Sequence, residues 1–191
     1  MLNYILKTER LILKDLELND AQNLFQLMSL EQTHHWSIFK KHETLDDTIH
    51  FINNSDGFYY KVGVFIKNTN EFIGMCSFKI KDIDGYPNGC TSIGYYLLPQ
   101  FQGYGYATET SKVLIKFSFE YLHAKKVIAT CDPLNEKSYN VMERCHMKRD
   151  GIIRYDKYTE CGKWRNSLQY SILDHEYEKD IILEAHKHII T

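Results

Sequence analysis

The stretch from Gln100 to Thr108, QFQGYGYAT, limits what this chain can fold into more than any other. An apolar run, Ile93 to Leu98, comes before it and is closed by Pro99; a helical pattern from Ala107 to Leu122 comes after. Strand, turn and helix therefore meet across Gly103 and Gly105. Glycine lets a backbone curl and lets a ligand come close to it. The start of a helix offers unpaired N–H groups and about half a positive charge. Together these features make a phosphate site, although a plain glycine turn capping a helix would use the same residues.

The rest of the chain narrows the choice. With 191 residues, 43% apolar and 25% charged, it can build one full core and little more. A net charge of −2 provides no basic surface for nucleic acid. No apolar run reaches membrane-spanning length, and MLNYILKTER lacks the apolar core of a signal peptide, so neither membrane insertion nor export is expected. The five cysteines are odd in number and contain no CxxC, which suits free thiols in a reducing cytoplasm. His34, His35 and His42 lack zinc spacing, so no metal is expected.

Taken in order, Arg10 to Lys14 reads as a first strand. A helix with Ala21, Leu24, Phe25 and Met28 on one face follows, N-capped by Asn19 or Asp20. Residues 30 to 43 read as irregular. Thr44 with Asp47 resembles a helix-starting cap. Phe58 to Ile66 alternates as a strand, Asn68-Thr69-Asn70 turns, and Phe72 to Ile80 returns. Asp82 to Gly89 is expected to be a loop, and Cys90 to Leu98 the next strand. After the long helix come a short strand at Val127 to Cys131 and a helix from Asn135 to Arg144. A final hairpin, Lys148 to Lys157 with Trp164 to Leu173, turns around Glu160-Cys161-Gly162. From His175 the tail reads as a helix with Ile181, Ile182, Ala185 and Ile189 on one side. This divides the chain into an α/β (α+β) domain over 1–174 and a helical tail over 175–191.

A dinucleotide fingerprint fails at Thr108, where a third glycine is required, and too many strands come first. No GxxxxGK[ST] is present. Gln102-x-x-Gly105-x-Ala107 instead matches the Q/R-x-x-G-x-G/A motif of the GNAT acyltransferase superfamily. IGYYLLPQFQGYGYATE, TERLIL, NEKSYNVMERC and GKWRNSLQYSIL resemble its RimJ/RimL-like N-acetyltransferase branch. The resemblance implies a GNAT fold, with a mixed, mostly antiparallel central sheet, splayed fourth and fifth strands, and helices on both faces. The splayed pair would be Thr91–Leu98 and Val127–Cys131.

The same resemblance implies acetyl-CoA as cosubstrate, lying between those strands. Backbone groups of Tyr95, Leu97 and Leu98 would be free of the sheet and bond the pantetheine arm. The N–H of Leu97 would face the thioester oxygen, where charge develops during attack. The N–H groups of Gln102, Gly103, Tyr104, Gly105, Tyr106, Ala107 and Thr108 would hold the pyrophosphate. Asn135 would bond pantetheine as well as capping its helix. Ser138, one turn on, would stand where the thiolate departs and could protonate it.

Departures from the family bear on the acceptor. Met142 stands where many members carry a tyrosine acid, and Ser92 where many carry a glutamate base. Without an obvious base, the site suits an amine that is already neutral. An α-amine has a reference pKa of about 7.7–8.0 and a lysine-like amine about 10.4. A peptide or protein N-terminus, of the ribosomal-protein type, is therefore the leading acceptor. A polyamine, amino acid or aminoglycoside is the alternative, and a non-catalytic acyl-CoA-binding module the rival from another class. His35, with Trp36 as an apolar wall, is the candidate base. The isoleucines of the tail leave two expectations open, a homodimer contact or folding back onto the domain.

Overall fold

Alternating apolar positions at the two ends of the chain and a long amphipathic stretch between them build one mixed sheet with a crossover helix. The computed structural model describes residues 4–36, 39–54, 59–159 and 162–178, and the backbone of 184–187. The strands are β1 (Tyr4–Lys7), β2 (Leu11–Asp15), β3 (Tyr59–Ile66), β4 (Phe72–Ile83), β5 (Tyr86–Leu97), β6 (Lys126–Cys131), β7 (Lys148–Tyr158), β8 (Trp164–Leu173) and β9 (Glu184–Lys187). The helices are α1 (Ala21–Met28), α2 (Glu31–Trp36), α3 (Leu45–Asn53), α4 (Tyr106–Glu120) and α5 (Glu136–Arg144).

The sheet order is β7-β8-β6-β5-β4-β3-β2-β1-β9. The pairings are antiparallel except β5 with β6, which is parallel. A parallel pair needs a crossover, and α4 supplies it. Because side chains alternate along a strand, the sheet buries both faces. On one face Leu13, Val62, Val64 and Phe78 meet Val113, Leu114 and Phe117 of α4. On the other, Phe65, Phe72 and Met75 meet Leu24, Leu27 and Met28 of α1. Helices thus cover both faces, as expected.

Several expectations are corrected. A strand, β1, precedes the first expected one, so the splayed strands are fifth and sixth. Residues 31–36 form α2 rather than irregular chain. The expected loop at Asp82–Gly89 is a tight hairpin, with Gly85 at φ 74 in the turn between β4 and β5. Asp20 precedes α1, but its carboxylate accepts the Glu17 N–H at 2.9 Å instead of capping the helix. The tail is not a helix where it is described: a 3-10 turn spans Asp174–Glu176, and β9 pairs with β1. Glu184–Lys187 of the tail therefore adds an edge strand to the sheet. Phe58, Glu160, Cys161, Ile181, Ile182 and Ile189 lie outside the described residues, as does the side chain of Ala185.

The expected Thr44–Asp47 cap is present: Thr44 Oγ1 accepts the Asp47 N–H at 3.2 Å, and Asp47 accepts the Thr44 N–H at 2.8 Å. Just before it, His42 is buried, with Nδ1 2.8 Å from Thr48 Oγ1. Burial pushes the His42 pKa below its ordinary value, against the opposing pull of Asp47. The unfolded chain then takes up a proton that the folded chain resists, so this contribution to stability is present above the unfolded pKa of about 6.5 and is lost as pH falls below it. Thermal midpoints measured between about pH 7 and pH 5 should fall more steeply for the wild type than for His42→Gln.

Candidate active site

The site forms where β5 and β6 part. Their pairing runs through Cys90–Lys126, Thr91–Val127 and Ser92–Ile128 and stops there. Beyond Ser92 the two strands diverge, as the sequence led us to expect. The register with β4 shows which backbone groups face the opening. The Leu98 N–H donates to the Ile73 carbonyl at 2.9 Å. Backbone groups alternate sides along an antiparallel strand. Tyr96 and Gly94 therefore bond β4, while Tyr95 and Leu97 point their backbone groups into the gap.

This corrects two of the expected donors. Leu98 is bonded to β4 and is not open to a ligand. The N–H of Gln102 donates to Pro99 O at 3.1 Å and is also spent. The side chain of Gln102 has a role the motif alone did not reveal: its Nε2 donates to the Leu97 carbonyl at 3.1 Å. That bond braces the residue whose N–H faces the gap.

The glycine turn follows. Gly103 and Gly105 have φ 87 and 81, in the left-handed region where other residues are strained. A Cβ on Gly103 would meet nothing within 4 Å, so its conformation, not space, requires glycine. Gly105 is the N-cap of α4, and the first helical bond runs from the Glu109 N–H to Gly105 O at 3.0 Å. Helical bonding leaves the N–H groups of Tyr106, Ala107 and Thr108 open.

On the far side of the gap, Asn135 caps α5, its Oδ1 accepting the Ser138 N–H at 3.2 Å. Ser138 Oγ lies 3.5 Å from the hydroxyl of Tyr95, a long hydrogen bond across the opening. Burial pushes the Tyr95 phenol up to about 12, so it keeps its proton at neutral pH. Burial also raises the Cys131 thiol, against a hydrogen bond from Ser138 that lowers it. A protonated thiol is a poor nucleophile. Met142 is buried.

Next to this gap lies a groove of about 330 Å³ between α2, the residues after β6 and the start of β8. His35, Trp36, Pro133 and Leu134 line it, with Asp132 and Arg165. Trp36 stands edge-on to His35, with ring centres 4.3 Å apart. Arg165 Nη1 donates to the His35 carbonyl at 2.9 Å and lies 3.6 Å from Asp132 Oδ2. Sequence reasoning brought His35 and Trp36 here but missed Asp132 and Arg165. A second hollow, of about 430 Å³, lies between α4, the end of α5 and the segment after β8. Among its lining residues Cys145 reaches back to the turn, its Sγ donating to Thr108 O at 3.7 Å. Among the described residues no cluster of metal-ligating side chains is found, and no helix is long and apolar enough to cross a membrane.

Comparison with known proteins matches residues 10–148 to the acetyltransferase (GNAT) domain. A Bacillus licheniformis protein named an uncharacterized N-acetyltransferase p20 is 32% identical over 178 residues, covering 90% of this chain and 97% of its own. The crystal structure of a GNAT-family acetyltransferase from Bacillus anthracis superposes with a TM-score of 0.80 at 27% identity, covering 90% of this chain and 99% of that one. Two more distant structures share the fold. One is a spermidine N-acetyltransferase from Vibrio cholerae in complex with CoA and spermine (TM-score 0.74, 19% identity, 87% and 96% covered). The other is a ribosomal-protein-S5-alanine acetyltransferase from Vibrio fischeri (TM-score 0.72, 20% identity, 91% and 98% covered).

Proposed function

The chain belongs to the GNAT acetyltransferase family, and on that premise we propose that it moves an acetyl group from acetyl-CoA to the α-amine of a peptide or protein N-terminus. The groove beside the gap carries this choice of acceptor. Its exposed walls are apolar, Trp36 and Leu134 above all. Asp132, the one carboxylate among the described residues of its lining, faces the guanidinium of Arg165. A polycation would gain from unpaired acidic groups, and this lining provides none. The uncharged side chain of a first residue fits it better. Two other carboxylates are engaged elsewhere: Asp47 in the α3 cap and Asp82 with the Asn88 N–H.

In this reading pantetheine lies in the gap, bonded by backbone groups of Tyr95 and Leu97 and by Asn135. The N–H groups of 103–108 hold the diphosphate. The neutral amine attacks the thioester carbon while the Leu97 N–H receives the charge growing on the oxygen. A C–N bond forms and the C–S bond breaks. Ser138 gives its proton to the departing sulfur. The proton the amine loses, taken up by His35 or water, returns through solvent to the Ser138 oxygen, so the amide and the CoA thiol leave with the enzyme unchanged.

Release of CoA from acetyl-CoA tests the acceptor. Short peptides with free N-termini should turn over, and the same peptides with blocked N-termini should not. Activity should rise with pH and level off near the α-amine pKa of about 8. Preferred turnover of spermidine, an amino acid or an aminoglycoside would contradict this acceptor.

A further inference from the structure

The TERL stretch near the N-terminus and the glycine turn are joined in space. Thr8 Oγ1 donates to Glu109 Oε1 at 2.6 Å, and the Arg10 N–H reaches the same oxygen at 3.2 Å. Arg10 Nε and Nη2 hold Glu109 Oε2 at 2.7 and 2.6 Å. The remaining arm, Nη1, donates to the carbonyl of Tyr104 at 3.1 Å. The guanidinium also lies over the Tyr106 ring, 4.7 Å from its centre.

We propose that Arg10 is a positioning residue for acetyl-CoA, fixing the glycine turn from behind so that its N–H groups face the diphosphate. The proposal rests on the cradle described above. Two left-handed glycines within three residues leave the turn many conformations to lose on ordering. Tyr104, between them, is 64% exposed, so packing does not hold it. Its carbonyl is held instead by Arg10. In a trans peptide the C=O of Tyr104 and the N–H of Gly105 point in opposite directions. A guanidinium gripping that oxygen therefore turns the Gly105 N–H away from itself, toward the open side. Glu109 neutralises Arg10 and anchors it to the first turn of α4. The guanidinium thus acts through the peptide and is not itself a phosphate ligand.

The test compares two ligands. CoA is titrated by calorimetry, and pantetheine, which lacks the diphosphate, is read as a competitor of CoA. The wild type should bind CoA far more tightly than pantetheine. Arg10→Gln should weaken CoA about tenfold and leave pantetheine unchanged. Arg10→Lys keeps the charge but has no fork to span both Glu109 and Tyr104, so it should show the same loss; it also carries the comparison if Arg10→Gln does not fold. Equal weakening of both ligands, unchanged CoA affinity, or full recovery with lysine would overturn the role of Arg10 and leave the cradle standing. A wild type that binds CoA no better than pantetheine would overturn the cradle and Arg10 with it.

Discussion

Gly74→Ala is expected to destabilise the protein by about 3 kcal/mol and to weaken CoA binding at the same time. Gly74 lies on β4 opposite Leu97, beside an irregularity in the β3–β4 pairing. A Cβ there would stand 2.2 Å from the Tyr96 carbonyl oxygen and 2.9 Å from Leu97 Cα. Both are backbone atoms, so no rotamer change relieves the clash. β5 itself must shift, and it shifts at the residue whose N–H faces the gap. For a domain of this size the thermal midpoint should fall by about 6–12 °C. Gly63→Ala is the control. Its Cβ would meet the ring edge of Phe65 at 2.6 Å and a methyl of Leu16 at 3.0 Å, and side chains can move. That variant should lose stability while keeping CoA affinity. Melting curves and CoA titrations of the two variants check both parts.

Ser138→Ala is expected to lower kcat by about ten- to a hundredfold, with little change in the KM for acetyl-CoA. The hydroxyl sits across the opening from Tyr95 and beside Cys131. Tyr95 keeps its proton and donates to the Ser138 oxygen, which in the proposed mechanism leaves Ser138 to direct its own proton at the departing sulfur. Removing the hydroxyl removes that proton but not the helix, because Asn135 caps α5 through the Ser138 backbone N–H. Steady-state kinetics separate the two possibilities. A loss in kcat supports the proton-donor role; a normal kcat would assign the residue to packing.

The sequence disclosed those parts of the site that lie within a few residues of one another. The glycine turn, the Asn135 cap with Ser138, and the Thr44 cap are all local chemistry. The parting of β5 from β6 was legible through the family resemblance. What escaped depends on register. Gly74 reads as an ordinary strand glycine until β4 is laid against β5. Asp132 and Arg165 are far apart in sequence. They meet because β6 and β8 pair with Cys131 opposite Leu168, which carries Asp132 toward Arg165 at the strand ends. Leu98 was misread because only the bond to Ile73 shows which side of β5 each residue faces. The tail was misread because Glu184 to Lys187 has helix-forming residues, whereas its backbone completes an edge beside β1. Edge pairing is a tertiary choice that local propensity does not reveal.

The most direct measurement is amide hydrogen exchange along residues 92–108, with and without acetyl-CoA. If the ligand lies in the gap, the amides of Tyr95 and Leu97 become protected along with those of 103–108, while Tyr96 and Leu98, already bonded to β4, change little. Protection that does not alternate along β5, or that leaves Leu97 untouched, would contradict the placement of acetyl-CoA between these strands.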